Sequence, residues 1–264
     1  MRQNSSKINQ LIKIWPQKTI AVQSWLSQMG FERQLVAAYE KTTWLNRIGR
    51  GAFVRADDQN IDWTGGLYAL QKLKTLSIHA GGKTALALHG YAHFLPLGNG
   101  APVTIFGIPN VKLPAWFLQY DWGVLIRYFT TKLFSQDRVL GLTTKELLTY
   151  SITLSSPERA ILELLYLIPQ AESFEEAKLL MEGLTTLRPD LVQSLLKVCN
   201  SVKVKRLFML LAESCDHAWL DQLDLSQVNF GKGKRVIGEG GHFNSKYQIS
   251  VPDRQAIYES ESFF

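Results

Sequence analysis

Several groups of residues in this 264-residue sequence have types and spacings that could carry chemistry. Gly82-Lys83-Thr84 has the form of the tail of a phosphate-binding loop, in which backbone N–H groups and a lysine cradle phosphates. That loop also needs a glycine five residues before Gly82, where Ser77 stands, so a glycine turn opening a helix is the expected role. His89 and His93 share a helix-face spacing, but the zinc-protease motif requires glutamate after the first histidine and Gly90 stands there. With no third ligand nearby, structural histidines are expected. Glu158 and Glu163 are paired only in sequence, one in a helix cap and the other on a helix face. Cys199 and Cys215 form no CxxC and no Cys/His pair, and there is no Gly-x-Ser-x-Gly elbow. The sequence therefore supports no catalytic residue, no metal and no cofactor, and the chain is expected not to be an enzyme.

Binding chemistry is better represented. Lys203-Val-Lys205-Arg206 opens a helix, and Gly231-Lys232-Gly-Lys234-Arg235 enters a strand. The glycines let backbone approach a ligand, and the cations could hold phosphate or an acidic partner surface. A solvated helix face and a glycine turn are the plainer alternative.

Charge distribution points to the other end of the chain. Residues 1–55 hold nine Lys/Arg against two acids, or +7, while the remaining 209 hold 20 against 21, or −1. So confined an excess creates a local positive field suited to a polyanion, although a basic solubilising face would have the same composition.

The elements beneath that charge favour the polyanion. Ile8, Leu11, Ile12 and Trp15 mark an amphipathic helix stopped by Pro16, and Thr19–Val22 is extended. Ser24–Met29 is a short helix ended by Gly30, Phe31–Lys41 a third helix, and Asn46–Arg55 a hairpin with Arg50 at its tip. This is the order of a winged helix-turn-helix, a module that also serves in protein–protein contacts. At about 100° per residue, Phe31, Leu35, Ala38 and Thr42 are expected to pack inward. Arg33, Ala37 and Glu40 then face outward, with Val36, Gln34 and Lys41 beside them. Arg33 and Gln34, near the helix start, can read base edges in a major groove, and Arg47 and Arg50 suit phosphates or the minor groove. Arg33, Gln34, Ala37, Lys41, Arg47 and Arg50 are the candidate DNA-contacting residues. Trp25, Trp44 and Phe53 read as core aromatics.

A polar break at Asp57–Asn60 places a domain boundary after residue 56. The expected fold is α+β: a winged helix-turn-helix over 1–56, then a larger mixed α/β domain over 57–264 with a helix-rich second half. Within it, 57–140 reads as mixed, with helices at Thr64–Leu76 and Gly82–Phe94 and strands at Val103–Ile108 and Val124–Phe134. Residues 141–228 read as mainly helical, from capping boxes at Thr143–Glu146, Ser155–Glu158 and Ser173–Glu176. Residues 229–252 read as a hairpin of Asn229–Ile237 and His242–Val251 joined by Gly238–Gly241. No apolar stretch is long enough to span a bilayer and no secretory signal opens the chain, so a cytoplasmic protein without membrane contact is expected.

These motifs also carry a family resemblance. Trp25-Leu-x-x-x-Gly30, Leu35-Val-x-x-Tyr39 and Trp44-Leu-x-x-Ile-Gly-x-Gly-Ala-Phe53 resemble the N-terminal winged helix of AbiEi-type antitoxins. Gly82-Lys-Thr-Ala-Leu-x-Leu-x-Gly90, Ser156-Pro-Glu-Arg-Ala160, Val202-Lys-Val-Lys-Arg-Leu-Phe208 and Gly231-Lys-Gly-Lys-Arg235 through Tyr247-Gln-Ile-Ser-Val-Pro252 are similar to that family's C-terminal antitoxin domain. The resemblance implies a type IV toxin–antitoxin, or abortive-infection, system. In such a system the antitoxin represses its own operon by binding inverted repeats in its promoter as double-stranded DNA. It also opposes a nucleotidyltransferase-like toxin, without necessarily forming a stable complex. Arg159, Lys203, Lys205, Arg206, Lys232, Lys234 and Arg235 are then the candidates in the antitoxin domain. One departure is Thr43, where many members carry Gly or Ser before the tryptophan.

Overall fold

Proline, glycine and alternating apolar residues punctuate the first segment into small elements. The computed structural model describes residues 2–58, 60–91, 100–238 and 241–252. Helix α1 (Arg2–Ile14) buries Ile8 and Leu11, and Pro16 follows its end. Strand β1 (Ala21–Val22) leads directly into α2 (Gln23–Gln28), and Gly30 adopts a left-handed turn before α3 (Arg33–Lys41). The wing is β2 (Leu45–Gly49) and β3 (Ala52–Arg55), antiparallel, with a register shift between Arg47 and Gly49. Strand β1 pairs antiparallel with the other edge of β3, Ala21 opposite Phe53, giving a three-stranded sheet β1-β3-β2. Helix, strand, two helices and a hairpin on a shared sheet form a winged helix-turn-helix. Trp15, Leu26, Leu45 and Phe53 are its fully enclosed core.

Further along, α4 (Trp63–Tyr68) runs into a wider π turn over Ala69–Leu73. There follow β4 (Ile78–Ala80), α5 (Gly82–Leu88), β5 (Val103–Gly107), α6 (Ala115–Gln119), β6 (Ile126–Thr130), β7 (Leu142–Glu146) and β8 (Ser151–Ser155). Helices α7 (Pro157–Leu167), α8 (Phe174–Gly183), α9 (Pro189–Val198) and α10 (Val202–Cys215) come next, then β9 (Arg235–Val236), β10 (Gly241–Asn244) and β11 (Ile249–Pro252).

The chain divides into two compact units. The first comprises Met1–His79, Gly98–Thr130 and Thr144–Leu154, so the sequence boundary after residue 56 falls inside it. A five-stranded sheet runs β6-β5-β4-β8-β7, with β5 and β6 parallel, and β5 is buried at every position. A strand covered on both faces reads as a mostly apolar run, here Val103, Ile105 and Phe106 interrupted by the buried Thr104, rather than as an alternation. Gln71, carried on the π turn, stitches β4 to β8: its amide donates to the carbonyls of Ile78 (3.0 Å) and Thr153 (2.9 Å) and accepts from the Thr153 N–H (2.8 Å).

The second unit comprises Ala80–Leu97, Thr131–Thr143 and Ser155–Phe264. Its centre is α7, which packs against α5, α8, α9 and α10. Three charged residues of α7 are buried, and each is matched. Glu163 accepts from Arg159 Nε (2.8 Å), Ser155 Oγ (2.7 Å) and the Gly82 N–H (3.3 Å). Glu158 accepts from the Arg188 guanidinium and backbone N–H at 2.9–3.1 Å. Burial pushes the Glu158 carboxyl up, but the Arg188 bonds outweigh it and bring the pKa down to about 2. Buried charges are tolerated when paired and hydrogen-bonded in this way.

Four expectations are corrected here. Thr143–Glu146 lies in strand β7, not at a helix start: Leu148 beyond it is almost fully exposed, so no apolar helical face follows. The helical region accordingly begins at Pro157, where Ser155 binds Glu163 instead of capping. Ser173 does cap α8, accepting from the Glu176 N–H (3.1 Å). The terminal hairpin joins β10 to β11 through 245–248, while β9 pairs with β11 in parallel. Residues 229–234 form no ladder because Arg206 takes the carbonyls of Phe230, Gly231 and Gly233. Helix α5 ends at Leu88; His93 and Phe94 lie outside the described residues.

Candidate nucleic-acid interface

Helix α3 presents one open face. Val36 and Tyr39 are its buried residues and Leu35 is half-buried, whereas Arg33, Gln34, Ala38 and Lys41 are exposed. The inward face is therefore rotated from the sequence expectation. Val36 is inside, Ala38 and Thr42 are outside, and Ala37 and Glu40 lie on the half-covered flanks. Periodicity alone misplaced the face because Phe31, although buried, precedes the helix and does not share its phase. The outward strip is Gln34, Ala38 and Lys41, flanked by Arg33. Its small residue allows close approach, and its long polar ones can reach base edges.

The wing is fixed beside that strip. Arg47 makes a two-pronged ion pair with Glu40 of α3, Nε to Oε1 at 2.9 Å and Nη2 to Oε2 at 2.7 Å, with its guanidinium 4.8 Å from the centroid of the Phe53 ring. The Arg47 hydrogen bonds hold the Glu40 carboxyl below its ordinary range. At the tip, Arg50 is exposed and Gly51 takes the left-handed conformation the turn needs, its carbonyl accepting from the Gln23 N–H (2.9 Å). Arg55 belongs to the interior: its Nη2 donates to the Ile12 carbonyl and it lies over Trp15. Trp25 and Phe53 are core residues as expected, but Trp44 is 48% exposed at the junction of α3 and the wing. Sequence reasoning missed Ala38 on the open face and Glu40 as the partner of Arg47; the Glu40–Arg47 complementarity was the available signal.

The end of α3 shows what the departure at position 43 costs. Thr43 N–H donates to the Glu40 carbonyl and Trp44 N–H to the Tyr39 carbonyl, the paired bonds of a Schellman turn. Thr43 has φ +56°, a left-handed conformation that favours glycine and strains a β-branched residue.

In the second unit the basic residues separate into two groups. Arg159 is buried, bound to Glu163 and to the carbonyls of Arg138 (2.9 Å) and Leu140 (2.7 Å). Lys203 donates to the Tyr166 carbonyl (2.8 Å) and to that of Ile168, and burial lowers its pKa. Lys205 and Arg206 are 5% and 3% exposed. The Lys203–Arg206 cluster is thus turned inward, correcting its reading as a solvated or partner-facing surface. Backbone carbonyls, which the sequence cannot display, are the partners that permit this for Lys203 and Arg206. Lys232, Lys234 and Arg235 are exposed, and Lys234 Nζ is 5.1 Å from the centroid of the Phe243 ring.

Family models match along most of the chain. Residues 4–97 match the model of the transcriptional regulator AbiEi antitoxin N-terminal domain, and residues 101–252 match that of the transcriptional regulator, AbiEi antitoxin, of type IV toxin–antitoxin systems. The chain belongs to the AbiEi antitoxin family of transcriptional regulators. The AbiEi resemblance carried by its motifs is therefore its family membership. A crystal structure of the RV2827C protein from Mycobacterium tuberculosis is similar in fold, with a TM-score of 0.55 and 12% sequence identity over 95% of this chain and 91% of that one. No curated protein sequence matches the chain. Among the described residues, no helix is long and apolar enough to cross a membrane, and no group of three or more His, Cys, Asp or Glu could hold a metal ion.

Proposed function

We propose that this AbiEi-family antitoxin represses its own operon by placing α3 in the major groove of promoter inverted repeats, with the wing on the adjoining backbone. The observation that carries the reading is the continuity of the open α3 face with the wing. Gln34, Ala38 and Lys41 line the helix, Arg33 stands at its start, Arg50 at the wing tip, and the Glu40–Arg47 pair sets the two at a fixed spacing. Arg33 and Gln34 read bases, while Lys41 and Arg50 contact phosphates. Ala37 lines the flank of the groove, and Arg47 contacts the backbone with the charge that Glu40 leaves it.

Residues 57–264 carry the antitoxin activity against a nucleotidyltransferase-like toxin. Lys232, Lys234 and Arg235 are the exposed candidates there, and Arg159, Lys203, Lys205 and Arg206 support them from inside. The protein acts in the cytoplasm by binding rather than by catalysis. Two assays test the two halves of this reading. In a gel shift, the chain should retard a duplex of its own promoter and not a scrambled duplex of equal length. In co-expression, it should restore growth to cells expressing the nucleotidyltransferase-like reading frame next to its gene. Equal retardation of both duplexes would overturn the repressor reading, and continued growth arrest would overturn the antitoxin reading.

A further inference from the structure

The wing tip is fixed from two sides, and one of them lies far along the chain. On the β3 side, the Gly51 carbonyl accepts from the Gln23 N–H of α2 (2.9 Å). On the β2 side, Gly49 lies against Trp116 of α6. A Cβ at Gly49 would stand 2.6 Å from the Trp116 Cβ and 3.2 Å from its Cα, so strand and helix meet with no side chain between them. Gly49 does not take a left-handed φ, so clearance from Trp116, and not backbone conformation, is what excludes a side chain there. Arg50 stands exposed between these two anchored glycines.

Helix α6 is itself held in place. It lies on the crossover from β5 to the parallel β6, and the Phe117 N–H donates to the Pro114 carbonyl (3.0 Å) across its first turn. Trp116 is 4% exposed, and its ring meets that of Phe117 edge-on with centroids 5.7 Å apart. Phe117 and Trp122 close on Gly66 of α4, where a Cβ would stand 2.8 Å and 2.5 Å from their rings. The Trp122 Nε1–H donates to the Phe117 carbonyl (2.7 Å). Packing this dense does not accept an added methyl group without a shift. The stop that Trp116 presents to Gly49 is therefore set by α4 and the β5–β6 crossover, and the wing adjusts to it.

We infer that Trp116 is a positioning residue for duplex recognition: by seating Gly49, it sets where Arg50 meets the phosphate backbone. The inference rests on the DNA reading of α3 and the wing, and it deepens that reading. The recognition element then crosses the two family-matched segments, with Gly49 in residues 4–97 and Trp116 in residues 101–252.

Gly49→Ala in the full chain tests it, by fluorescence anisotropy on the promoter duplex over a salt series. The added methyl must move the wing by about 1 Å to regain ordinary carbon–carbon contact with Trp116. Promoter affinity should fall, and the log–log salt slope should shrink by about one, as for a lost phosphate contact. Because the effect passes through Arg50, Gly49→Ala/Arg50→Ala should bind no more weakly than Gly49→Ala alone. Gly49→Ala/Arg33→Ala should instead show both losses in full. Trp116→Leu, which shortens the anchor and keeps the Cβ, should show the same coupling to Arg50 and is read in place of Gly49→Ala if that variant does not fold. Trp116→Phe should recover most of what Trp116→Leu loses. Wild-type affinity and slope in Gly49→Ala and Trp116→Leu, or losses that add to that of Arg50→Ala, would overturn the inference and leave the DNA reading standing. A wild-type chain that does not bind its promoter would overturn both.

Discussion

Glu40 on α3 and Arg47 on the wing are locked by two hydrogen bonds of 2.9 and 2.7 Å, so an acid sits between the exposed cations of the helix and that of the wing tip. The pair orients the wing at the expense of half the charge it could offer to a phosphate. Both side chains are partly exposed, at 46% and 31%, so the pair contributes less than about 1 kcal/mol to folding. Glu40→Gln should therefore leave the melting temperature nearly unchanged. It should also tighten promoter binding and steepen its salt dependence by about one unit of log–log slope, since one more cation is free. Fluorescence anisotropy over a salt series checks both effects.

The rotated face of α3 yields a positional test. Ala38→Glu places a carboxylate at the centre of the proposed groove surface and should abolish specific binding. At the flank, Ala37→Glu should cost less. Arg33→Ala and Gln34→Ala should each cost about 1–3 kcal/mol and relax sequence preference at the bases they read. Binding to a panel of single-substituted operators distinguishes these losses from a uniform loss of phosphate contact.

Thr43 is strained where glycine would not be. Left-handed backbone costs a residue with a side chain about 1–3 kcal/mol, partly offset by glycine's greater freedom when unfolded. Thr43→Gly should stabilise the protein by about 1 kcal/mol in urea unfolding, with the slope unchanged. Destabilisation by this substitution would contradict the left-handed assignment.

Glu158 makes stability depend on acid. Its pKa falls from 4.5 to about 2 on folding, mainly because the Arg188 bonds overcome burial. A depressed carboxylate stabilises above its unfolded pKa and loses that contribution as pH falls through its folded pKa. The loss belongs to the window from about 4.5 to about 2. Arg188 is 64% exposed, so solvent screening limits the contribution to roughly 1–2 kcal/mol. Arg188→Leu should flatten that limb of the stability–pH curve, measured by urea midpoints at each pH.

Sequence legibility followed the range of the interactions involved. The winged helix was readable because its signals are local: Pro16, Gly30, the Arg50-Gly51 turn and the 3.6-residue apolar stripe of α1 each act within a few residues. The inward turn of α3 buries Val36 and Tyr39 through tertiary packing, and no periodicity within nine residues resolves that. At Thr143–Glu146 a hydroxyl and an acid stand at capping distance in a segment that pairs as a strand; only its position at the edge of the five-stranded sheet determines the outcome. The two basic clusters of the second unit look alike in sequence. Lys203 and Arg206 reach backbone carbonyls from residues 24 to 42 positions away, and Lys232 and Lys234 do not.

The central claim is that α3 and the wing grip duplex DNA through exposed cations, and the salt dependence of promoter affinity tests it most directly. Log affinity against log salt for the wild-type chain should fall steeply, each phosphate contact contributing about 0.9 to the slope. Lys41→Ala and Arg50→Ala should each reduce that slope by about one. A flat wild-type slope, or variants superimposable on wild type, would contradict the account.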